Sequence, residues 1–500
     1  MATVILNRFD GSIVNDPRFP NEAVSRYTGN ADILTDPHRM NPYRASEDGH
    51  DNQSTEKLQN FCIAKKDAST YALFGLGVVS GGSLAQIQFK NLTTGSSNDL
   101  DDNTWVKGGN NASSSGAVNT NLFVYYQKTG YLYGARAGSH IWRADPTGAG
   151  AWVDSHQAIS YTNISQGLVH SKDDILYIPY DNKIAKNNNG SWTTEAIVLP
   201  SHLYITSISE YGNYIAIGCA QLSGIGNSIV FLWDRDTSLT TLSDSIDWGE
   251  GNLKVLEEVD GALIGISLSG SNSTRLSDRV IFRVLLGSQA VKFGELIGST
   301  STQLPITKQK INNRLHFMLS LVINGSTREG VWSVGRSSPN AAFTIVHERT
   351  PNNDTAVTNS VLRGFFYVGD YVFIAYVDNS VETLSKTNDS TAYVSGIRET
   401  VKNPGMDSKD RARSKQLVAV LVNYESIPSS GQVKLEYRVD SESTWTEVFT
   451  DTTVGSVSSL RTKAGNTQFT KGREYEFRLT FKGSAVFSVM YRYDVLETTI

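Results

Sequence analysis

The sequence predicts an all-β protein: a β-propeller of about seven blades, with an extended N-terminal arm before it and a C-terminal β-sandwich after it. Between about residues 64 and 394, an apolar strand, a tight polar turn and a second apolar strand recur seven times. The chain also contains 42 glycines and 22 tyrosines, and Asn, Ser and Thr crowd its turns, which is typical of loop-rich all-β proteins. Its 500 residues exceed the ~250–300 that one non-repetitive core holds.

The repeated turns lie roughly 40 to 60 residues apart, the spacing of four-stranded blades with uneven loops. They are centred on Ala68, Thr129, Asp173, Gly212, Asp260, Asn312 and Gly369. A third strand is expected after most hairpins, at Leu84–Phe89, His140–Arg143, Ile229–Trp233, Val280–Val284, Gly330–Val334 and Val381–Leu384. Several repeats carry a tryptophan near this strand, and such a side chain can fill the wedge between neighbouring blades.

The segments outside the repeats have a different character. Residues 1–60 are expected to form an extended arm, because Pro17, Pro20, Pro37 and Pro42 exclude a continuous helix. Such an arm must lie against the propeller or reach a neighbouring subunit. Residues 61–398 are assigned to the propeller. Residues 399–414 are expected to form a linker, with Pro404-Gly405 as its breaker.

Residues 415–500 predict a small β-sandwich of about six strands. Leu417–Val422 is a continuous apolar run, expected of a strand that is covered on both faces. Gln432–Val439 and Tyr475–Lys482 instead alternate apolar and polar residues, which predicts one buried and one solvated face for each strand.

Charge and cysteine content narrow the classes of function. A net charge of −5 gives no global field toward nucleic acid or anionic membranes. Cys62 and Cys219 are expected to be buried, reduced thiols. The first residues lack the basic region and apolar run of a secretion signal, and no stretch approaches 18 apolar residues. Synthesis in the cytoplasm without a membrane span is therefore expected.

Motifs for catalysis, metal binding or cofactor binding are missing from the sequence, so none of these sites is predicted. The eight histidines never stand at metal-ligand spacing, and neither a Gly-x-Ser-x-Gly elbow nor a phosphate-binding glycine loop occurs. The acidic stretch Asn98–Asn103 lacks the glycine and distal glutamate of a calcium loop, which favours a solvated turn. Asp440–Trp445 echoes the Asp-x-x-x-Thr-Trp turn of sialidase-like repeats, but it occurs once and is expected to be a hairpin turn closed by a packed tryptophan.

The propeller fold also hosts glycosidases, which need two carboxylates and, for sialic acid, a cluster of arginines. Six arginines are spread over the arm and several repeats, and whether folding brings them together into such a cluster stays open. They are Arg44, Arg136, Arg143, Arg283, Arg314 and Arg363. A basic junction is a second open case, since it could contact phosphate or form a solvated linker diluted by two acids. Its cations are Lys402, Lys409, Arg411, Arg413 and Lys415.

Short motifs at both ends resemble bacteriophage tail proteins. They are Phe9–Ile13, Asn30–Leu34, Arg39–Arg44 and Tyr475–Phe481. The three arm segments look like the opening of phage tail proteins, which often begin with a Phe-x-Gly-Gly turn, an Asn-x-Asp-Ile segment and a Leu-x-Pro-Arg stretch. The fourth is similar to the closing sandwich of the tail nozzle (hub) proteins of short-tailed phages. Ser12, Met40 and Tyr43 depart from the arm pattern.

This resemblance implies a structural virion component without enzymatic activity, a tail nozzle, hub or tail-tip subunit in a ring around the DNA exit channel. Implied partners are copies of itself in a hexameric ring, other tail or adaptor proteins, and double-stranded DNA in passage. The implied location is the virion tail, with synthesis and assembly in the bacterial host cytoplasm. Candidate partner or DNA contacts are Arg39, Arg44, Lys409, Arg411 and Arg413.

Two other hypotheses remain open from the sequence. One is a carbohydrate-binding or carbohydrate-cleaving propeller, such as a phage receptor-binding protein, a lectin or a glycosidase. The other is a cytoplasmic interaction scaffold of the WD-repeat type, and the absence of Gly-His and Trp-Asp signatures at the expected blade positions counts against it.

Overall fold

The structure is a computed structural model, and its described part is all β, which confirms the predicted fold class. The described residues form 40 strands and no helix, so none of them forms a helix that could cross a membrane. They are residues 2–9, 13, 25–48, 56–79, 84–92, 98–102, 105–107, 113–148, 152–222, 226–237, 244–269, 279–297, 307–323, 326–351, 361–378, 381–387, 392–404, 406, 413–462 and 469–496.

The chain divides into two compact units, each assembled from separate segments. The larger unit comprises residues 47–329 and 356–387, and the smaller unit residues 1–46, 330–355 and 388–500. This division by packing does not follow the linear boundaries expected from the sequence, because residues 330–355 join the arm and the C-terminal strands.

The larger unit contains the propeller. The innermost strands of its blades are β6 (Glu56–Lys65), β10 (Ser113–Tyr126), β14 (Leu168–His170), β18 (Leu203–Tyr211), β22 (Asn252–Val259), β26 (Lys308–Ile311) and β30 (Val361–Val368). They follow one another around an axis, and the contact of β30 with β6 closes the ring. The described strands therefore form seven repeats, as the spacing of the turns predicts.

Each inner strand continues through a tight turn into a second strand. The second strands are β7 (Tyr71–Val79), β11 (Tyr131–Arg136), β15 (Ile175–Tyr180), β19 (Tyr214–Gln221), β23 (Ala262–Ser269), β27 (Arg314–Ile323) and β31 (Tyr371–Asp378). Asn312 and Asn313 show why the turns could be found from the sequence. Their φ angles of 49° and 57° lie in the left-handed region, which Asn and Gly enter most readily.

The outer strands complete the blades. Third strands are β8 (Leu84–Asn91), β12 (His140–Ala144), β16 (Lys183–Asn188), β20 (Asn227–Trp233), β24 (Arg279–Leu286) and β32 (Val381–Thr387). Fourth strands are β9 (Val106–Lys107), β13 (Val153–Ala158), β17 (Ser191–Val198), β21 (Asp244–Glu250) and β25 (Gln289–Ile297). The short β5 (Ser46–Asp48) begins where the smaller unit ends. Strand β28 (Ser326–Gly335) passes into the smaller unit at Gly330 and pairs there with β29 (Thr344–Arg349).

Aromatic side chains fill the space between blades. Trp142 is fully buried and packs against Phe123 of the same blade. Gly134 makes room for this ring, because a Cβ at that position would lie 2.0 Å from Trp142 Cζ2. Trp233 meets Tyr177 of the preceding blade edge-on, with ring centroids 5.6 Å apart. The contact of Trp233 with Tyr177 ties two neighbouring blades together by burial of large apolar surfaces.

The smaller unit is a β-sandwich. One sheet has the order β1 (Ala2–Leu6), β40 (Val486–Val495), β34 (Lys415–Tyr424) and β37 (Ser458–Thr462), with β38 (Lys471–Gly472) also on β34. The other sheet runs from β29 through β2 (Ser25–Gly29), β33 (Gly396–Thr400), β39 (Tyr475–Lys482) and β35 (Gln432–Val439) to β36 (Thr446–Asp451). The pair β3 (Ala31–Asp32) and β4 (Asn41–Pro42) lies beside them.

Aromatic rings dominate the core of the sandwich. Phe477 is fully buried and stacks on Tyr491 with ring centroids 3.8 Å apart. The arm contributes to the same core, because Phe9 and Met40 are fully buried there. Strand β1 pairs antiparallel with β40, from Ala2 opposite Tyr493 onward. The arm strands β1 and β2 are therefore structural elements of the sandwich, whereas Glu56–Asn60 at the end of the arm already belong to the propeller strand β6.

Candidate binding site

The inner strands share a local irregularity close to the axis. A β-bulge interrupts the pairing of β6, β18, β22 and β30 with their second strands, and β10 shifts register between Asn119 and Phe123. The extra residues of the four bulges are Gln59, Thr206, Lys254 and Arg363, here called the bulge ring. Bulges re-aim side chains and are common next to functional sites.

Each inner strand presents an open edge to the axis, and side chains of neighbouring blades cap several of these edges. Asn60 Nδ2 donates to Thr120 O at 3.0 Å, and Gln166 Nε2 donates to Phe123 O at 3.0 Å. Ser207 Oγ accepts the backbone N–H of Leu256 at 3.2 Å. Buried backbone groups need such partners, so the caps account for polar residues on strands that the apolar pattern alone does not explain.

Lys308 is the most connected of these groups. Its ammonium donates to Ile208 O at 2.8 Å and also to Leu256 O, the open edges of two other blades. It pairs with the Glu257 carboxylate, Nζ to Oε2, at 2.8 Å. Ser209 Oγ donates to the other oxygen of Glu257 at 2.9 Å. One side chain from β26 therefore links the inner strands of three blades.

A cavity of about 290 Å³ lies next to Lys308, between inner strands. Its lining residues are Asn60, Phe61, Cys62, Ile63, Phe123, Val124, Tyr125, Gln166, Val169, Thr307, Lys308, Phe365 and Phe366. The wall has two parts: Ile63, Val124 and Phe366 offer apolar, partly accessible surface, while Thr307 and Lys308 are polar. Thr307 Oγ1 is buried and has no hydrogen-bond partner among the described residues.

Charged side chains continue from Lys308 toward the hairpin turns of the same blades. Glu258 binds Lys310 at 2.7 Å, and Glu210 Oε2 accepts Ser171 Oγ at 2.7 Å. Burial lowers the pKa of Lys310, but the hydrogen bond and the charge of Glu258 outweigh it and hold that pKa above its usual value. This side of the axis therefore combines carboxylates with cations.

The arginines and lysines expected to contact partners or DNA are not gathered by the described structure. Arg39 lies in the smaller unit, where Nε donates to Asn41 Oδ1 at 2.6 Å and Nη2 pairs with Glu425. Arg44 lies in the same unit, and its carbonyl accepts Arg349 Nη1 at 3.1 Å. Arg413 is exposed there. Lys409 and Arg411 lie outside the described residues, so these contacts stay predictions.

The arginines considered for sugar recognition are also spread out. Arg143 on β12 stacks on Tyr131, with its guanidinium 4.4 Å from the ring centroid. Arg283 on β24 donates to Glu250 O at 3.0 Å. Arg363, by contrast, belongs to the bulge ring. The structure therefore places one arginine of the predicted set near the axis and shows no cluster among the described ones.

The acidic loop Asn98–Asp102 is held by lysines. Lys90 Nζ donates to Asp99 O at 3.2 Å, and Lys386 Nζ donates to Leu100 O at 3.4 Å. Asp99 and Leu100 are buried, so the expected solvated turn is in part an internal contact. Burial lowers the pKa of Lys90 to about 8, and the charge of Lys386 adds to that effect. Within the described ranges, no group of three or more His, Cys, Asp or Glu side chains could hold a metal ion.

Two further expectations concern local structure. In the turn after β35, Asp440 and Ser441 have φ angles of 49° and 63°, and Trp445 lies between the guanidiniums of Arg438 and Arg478, 4.6 and 4.7 Å from its ring centroid. This is a hairpin turn with a packed tryptophan. The two cysteines of the chain form no disulfide, and burial raises the pKa of both thiols.

Comparisons with known proteins were made at three levels. A scan against family models and a search of curated proteins found no match. Among solved structures, an exo-β-1,3-galactanase from Phanerochaete chrysosporium, solved with β-1,3-galactotriose, matches with 13% identity and a TM-score of 0.30, over 87% of this chain and 96% of that chain. An engineered GH43 glycoside hydrolase with endo-xylanase and exo-arabinofuranosidase activity matches with 10% identity and a TM-score of 0.26, over 88% and 98%. A third glycoside hydrolase matches with 10% identity and a TM-score of 0.28, over 89% and 100%.

These matches correct the identification made from the short motifs. The structures are glycoside hydrolases and not bacteriophage tail proteins, so the predicted resemblance to tail nozzle proteins is wrong. The predicted virion role around a DNA exit channel and the predicted lack of enzymatic activity are wrong with it. At TM-scores of 0.26 to 0.30, we transfer no activity and no residue from these structures to this chain. The predicted partners and the virion location are not tested by these matches and stay predictions.

Proposed function

We propose that this chain is a carbohydrate-active propeller that binds the end of a glycan in the axial cavity beside Lys308. The observation that carries the proposal is the two-part wall of that cavity. Apolar surface from Ile63, Val124 and Phe366 can cover the C–H face of a sugar ring. The unpartnered hydroxyl of Thr307 can bond a sugar hydroxyl.

The size of the cavity limits what it accepts. Its volume of about 290 Å³ lies at the lower end of the ~300–1,000 Å³ of small-molecule sites, so it suits a terminal sugar. The caps on the inner strands keep the walls in place, because Asn60 and Gln166 both donate to backbone carbonyls of the blade that contains β10. A preformed wall reduces the entropy that binding must overcome.

Glycan-array screening followed by titration of the best ligand tests the proposal. We expect Phe366→Ala to weaken binding about 3- to 10-fold, because it removes the stacking surface. Thr307→Val keeps the shape and removes the hydroxyl, and a similar loss is expected. Val291→Ala, an exposed change on β25, is the matched control. Absence of any glycan signal, or equal affinity in both cavity variants and the control, would overturn the proposal.

Cleavage of the bound glycan is the second candidate function, and Glu257 is the observation that favours it. Glycoside hydrolysis uses two carboxyl groups about 5–9.5 Å apart. Glu257 pairs with the cavity-lining Lys308, and Glu258 and Glu210 follow on the same side of the axis. Release of reducing sugar by the wild type, lost in Glu257→Gln while glycan binding persists, would establish cleavage. Release that is unchanged in Glu257→Gln would exclude Glu257 as a catalytic residue.

A further inference from the structure

The ammonium of Lys308 has no hydrogen-bond donor left for a ligand of the axial cavity. A lysine ammonium carries three N–H groups and no acceptor. Two of those of Lys308 donate to Ile208 O and Leu256 O, and the third reaches the Glu257 carboxylate, with Nζ 2.8 Å from Oε2. The charge of the ammonium is therefore balanced, and its N–H groups are engaged, before a sugar enters the cavity.

The two amide side chains of the cavity wall are also engaged. Asn60 Nδ2 donates to Thr120 O at 3.0 Å and to Gln166 Oε1 at 3.1 Å. Asn60 Oδ1 accepts the backbone N–H of Phe61 at 2.8 Å. Gln166 Nε2 donates one N–H to Phe123 O. Because an amide nitrogen carries two donors, the second N–H of Gln166 stays available to a ligand.

The groups that remain free at the wall offer hydrogen-bond donors and no charged acceptor. Thr307 lines the cavity, and its hydroxyl has no partner among the described residues. Tyr125 and Cys62 add a hydroxyl and a thiol, and burial raises the pKa of both, so neither side chain becomes an anion that accepts strongly. No Asp or Glu is among the described residues that line the cavity. The wall therefore lacks carboxylate oxygens to accept the protons of sugar hydroxyls.

Loss of hydration makes an unmodified sugar a poor fit for this wall. Each ring hydroxyl carries a proton that loses its water acceptor on entry, and a buried donor without a partner costs the free energy of its desolvation. More than half of the lining residues are Phe, Ile or Val, whose side chains offer no acceptor. An acetyl group suits the wall better, since its methyl is apolar and its carbonyl oxygen is an acceptor without a proton.

We infer that the sugar bound in the axial cavity carries an acetyl group, as an N-acetyl amide or an O-acetyl ester. This inference rests on the proposed glycan-binding function and names the class of ligand. The methyl packs on the partly accessible apolar surface of Ile63, Val124 and Phe366. The carbonyl oxygen accepts the hydroxyl of Thr307 or the free N–H of Gln166.

Matched ligands test this inference separately from the proposed function. Tri-N-acetylchitotriose and cellotriose share one β-1,4-linked backbone and differ in the acetamido group at carbon 2 of each sugar. Acetylated xylotriose and its saponified form make the same comparison for O-acetyl esters. We expect the acetylated member of at least one pair to bind at least ~10-fold more tightly, because it buries a methyl and brings an acceptor.

The outcomes distinguish the two proposals. If the members of each pair that binds have equal affinity, the inference fails while glycan binding stands. If neither pair binds, the glycan array decides: strongest ligands with acetyl groups support the inference, and strongest ligands without them overturn it. If no glycan binds at all, the proposed function itself fails.

Variants test whether the acetyl group lies in the axial cavity. Val124→Thr keeps the shape of the side chain but places a hydroxyl where the methyl should pack, so we expect the preference for the acetylated ligand to fall at least ~3-fold. Thr307→Val removes a donor to the carbonyl and should reduce the preference in a similar way. Val291→Thr, an exposed change on β25, is the matched control and should retain the preference. An unchanged melting temperature separates the loss of a contact from unfolding. A preference that is undiminished in both cavity variants would refute the assignment.

Discussion

Replacement of Lys308 by methionine tests the axial network most directly. The change removes the ammonium but keeps a side chain of similar length, so Ile208 O, Leu256 O and the Glu257 carboxylate lose a donor at once. The side chains of Lys308 and Glu257 are 11% and 18% exposed, so the stranded carboxylate is only partly hydrated. Removal of one member of a buried ion pair typically lowers the free energy of unfolding by ~3–5 kcal/mol. For Lys308→Met, partial exposure of the pair reduces this loss to about 2–4 kcal/mol.

Urea unfolding of the wild type, Lys308→Met, Glu257→Gln and the double variant measures this cost. We expect the double variant to be more stable than the sum of the single changes predicts, because it leaves no unpaired charge. Lys292→Met is the control: that pair with Glu295 is 53% exposed on the lysine side, and its loss should cost less than ~1 kcal/mol. Two results would refute the network. One is a free energy of unfolding for Lys308→Met within about 0.5 kcal/mol of the wild type. The other is strict additivity of the Lys308→Met and Glu257→Gln effects in the double-mutant cycle.

Three other predictions concern stability, and thermal or urea unfolding measures each. Phe477→Asp should lower the free energy of unfolding by more than ~4 kcal/mol, because it places a charge in the core of the sandwich. Phe487 on the same domain is 37% exposed, and Phe487→Asp should lower it by less than ~1 kcal/mol. Equal effects of the two changes would show that Phe477 is accessible. Gly364→Ala should destabilise the propeller by about 3 kcal/mol, because its Cβ would lie 2.0 Å from Gln59 O at the ring closure; a neutral effect would contradict that close approach. Burial raises the pKa of Tyr161 to about 12, so between pH 10 and pH 12 the unfolded chain releases this proton and the folded chain retains it; this group then costs ~1.4 kcal/mol of stability per pH unit. Burial also raises the pKa of Tyr180 to about 12, so Tyr161→Phe should make the fall in stability shallower by about that amount without abolishing it; an unchanged slope would contradict the burial of the Tyr161 hydroxyl.

The repeats were accessible from the sequence because their signals are local. Tight turns need left-handed backbone, and residues such as Asn312, Asn313 and Gly369 accept it at little cost. The alternation in β35 also correctly marks Val433 and Leu435 as buried. Burial on the opposite face of β35 was harder to predict. Glu436 was expected to be solvated, but it is only 6% exposed because Arg478 and Lys434 bind its carboxylate.

The candidate site was not accessible in the same way. Lys308 and Glu257 stand on consecutive repeats, and only the packing of neighbouring blades brings them together. A bulge is a property of a strand and its partner, so Lys254 looks like an ordinary polar strand residue in the sequence. One signal was present: Glu257 and Glu258 precede a turn in one repeat, and Lys308 and Lys310 precede the turn of the next.

The pairing of β1 with β40 has a consequence for folding during synthesis. Ala2–Leu6 is synthesised before the propeller strands, and its partner β40 is synthesised after them. At ~5–20 residues per second, β1 waits roughly half a minute or longer for that partner. Most propeller strands are translated during this interval, so the blades can assemble while the first strand is still exposed. A delay in the synthesis of β40 thus prolongs the period in which Val4 and Leu6 are exposed and can bind chaperones or pair with incorrect strands.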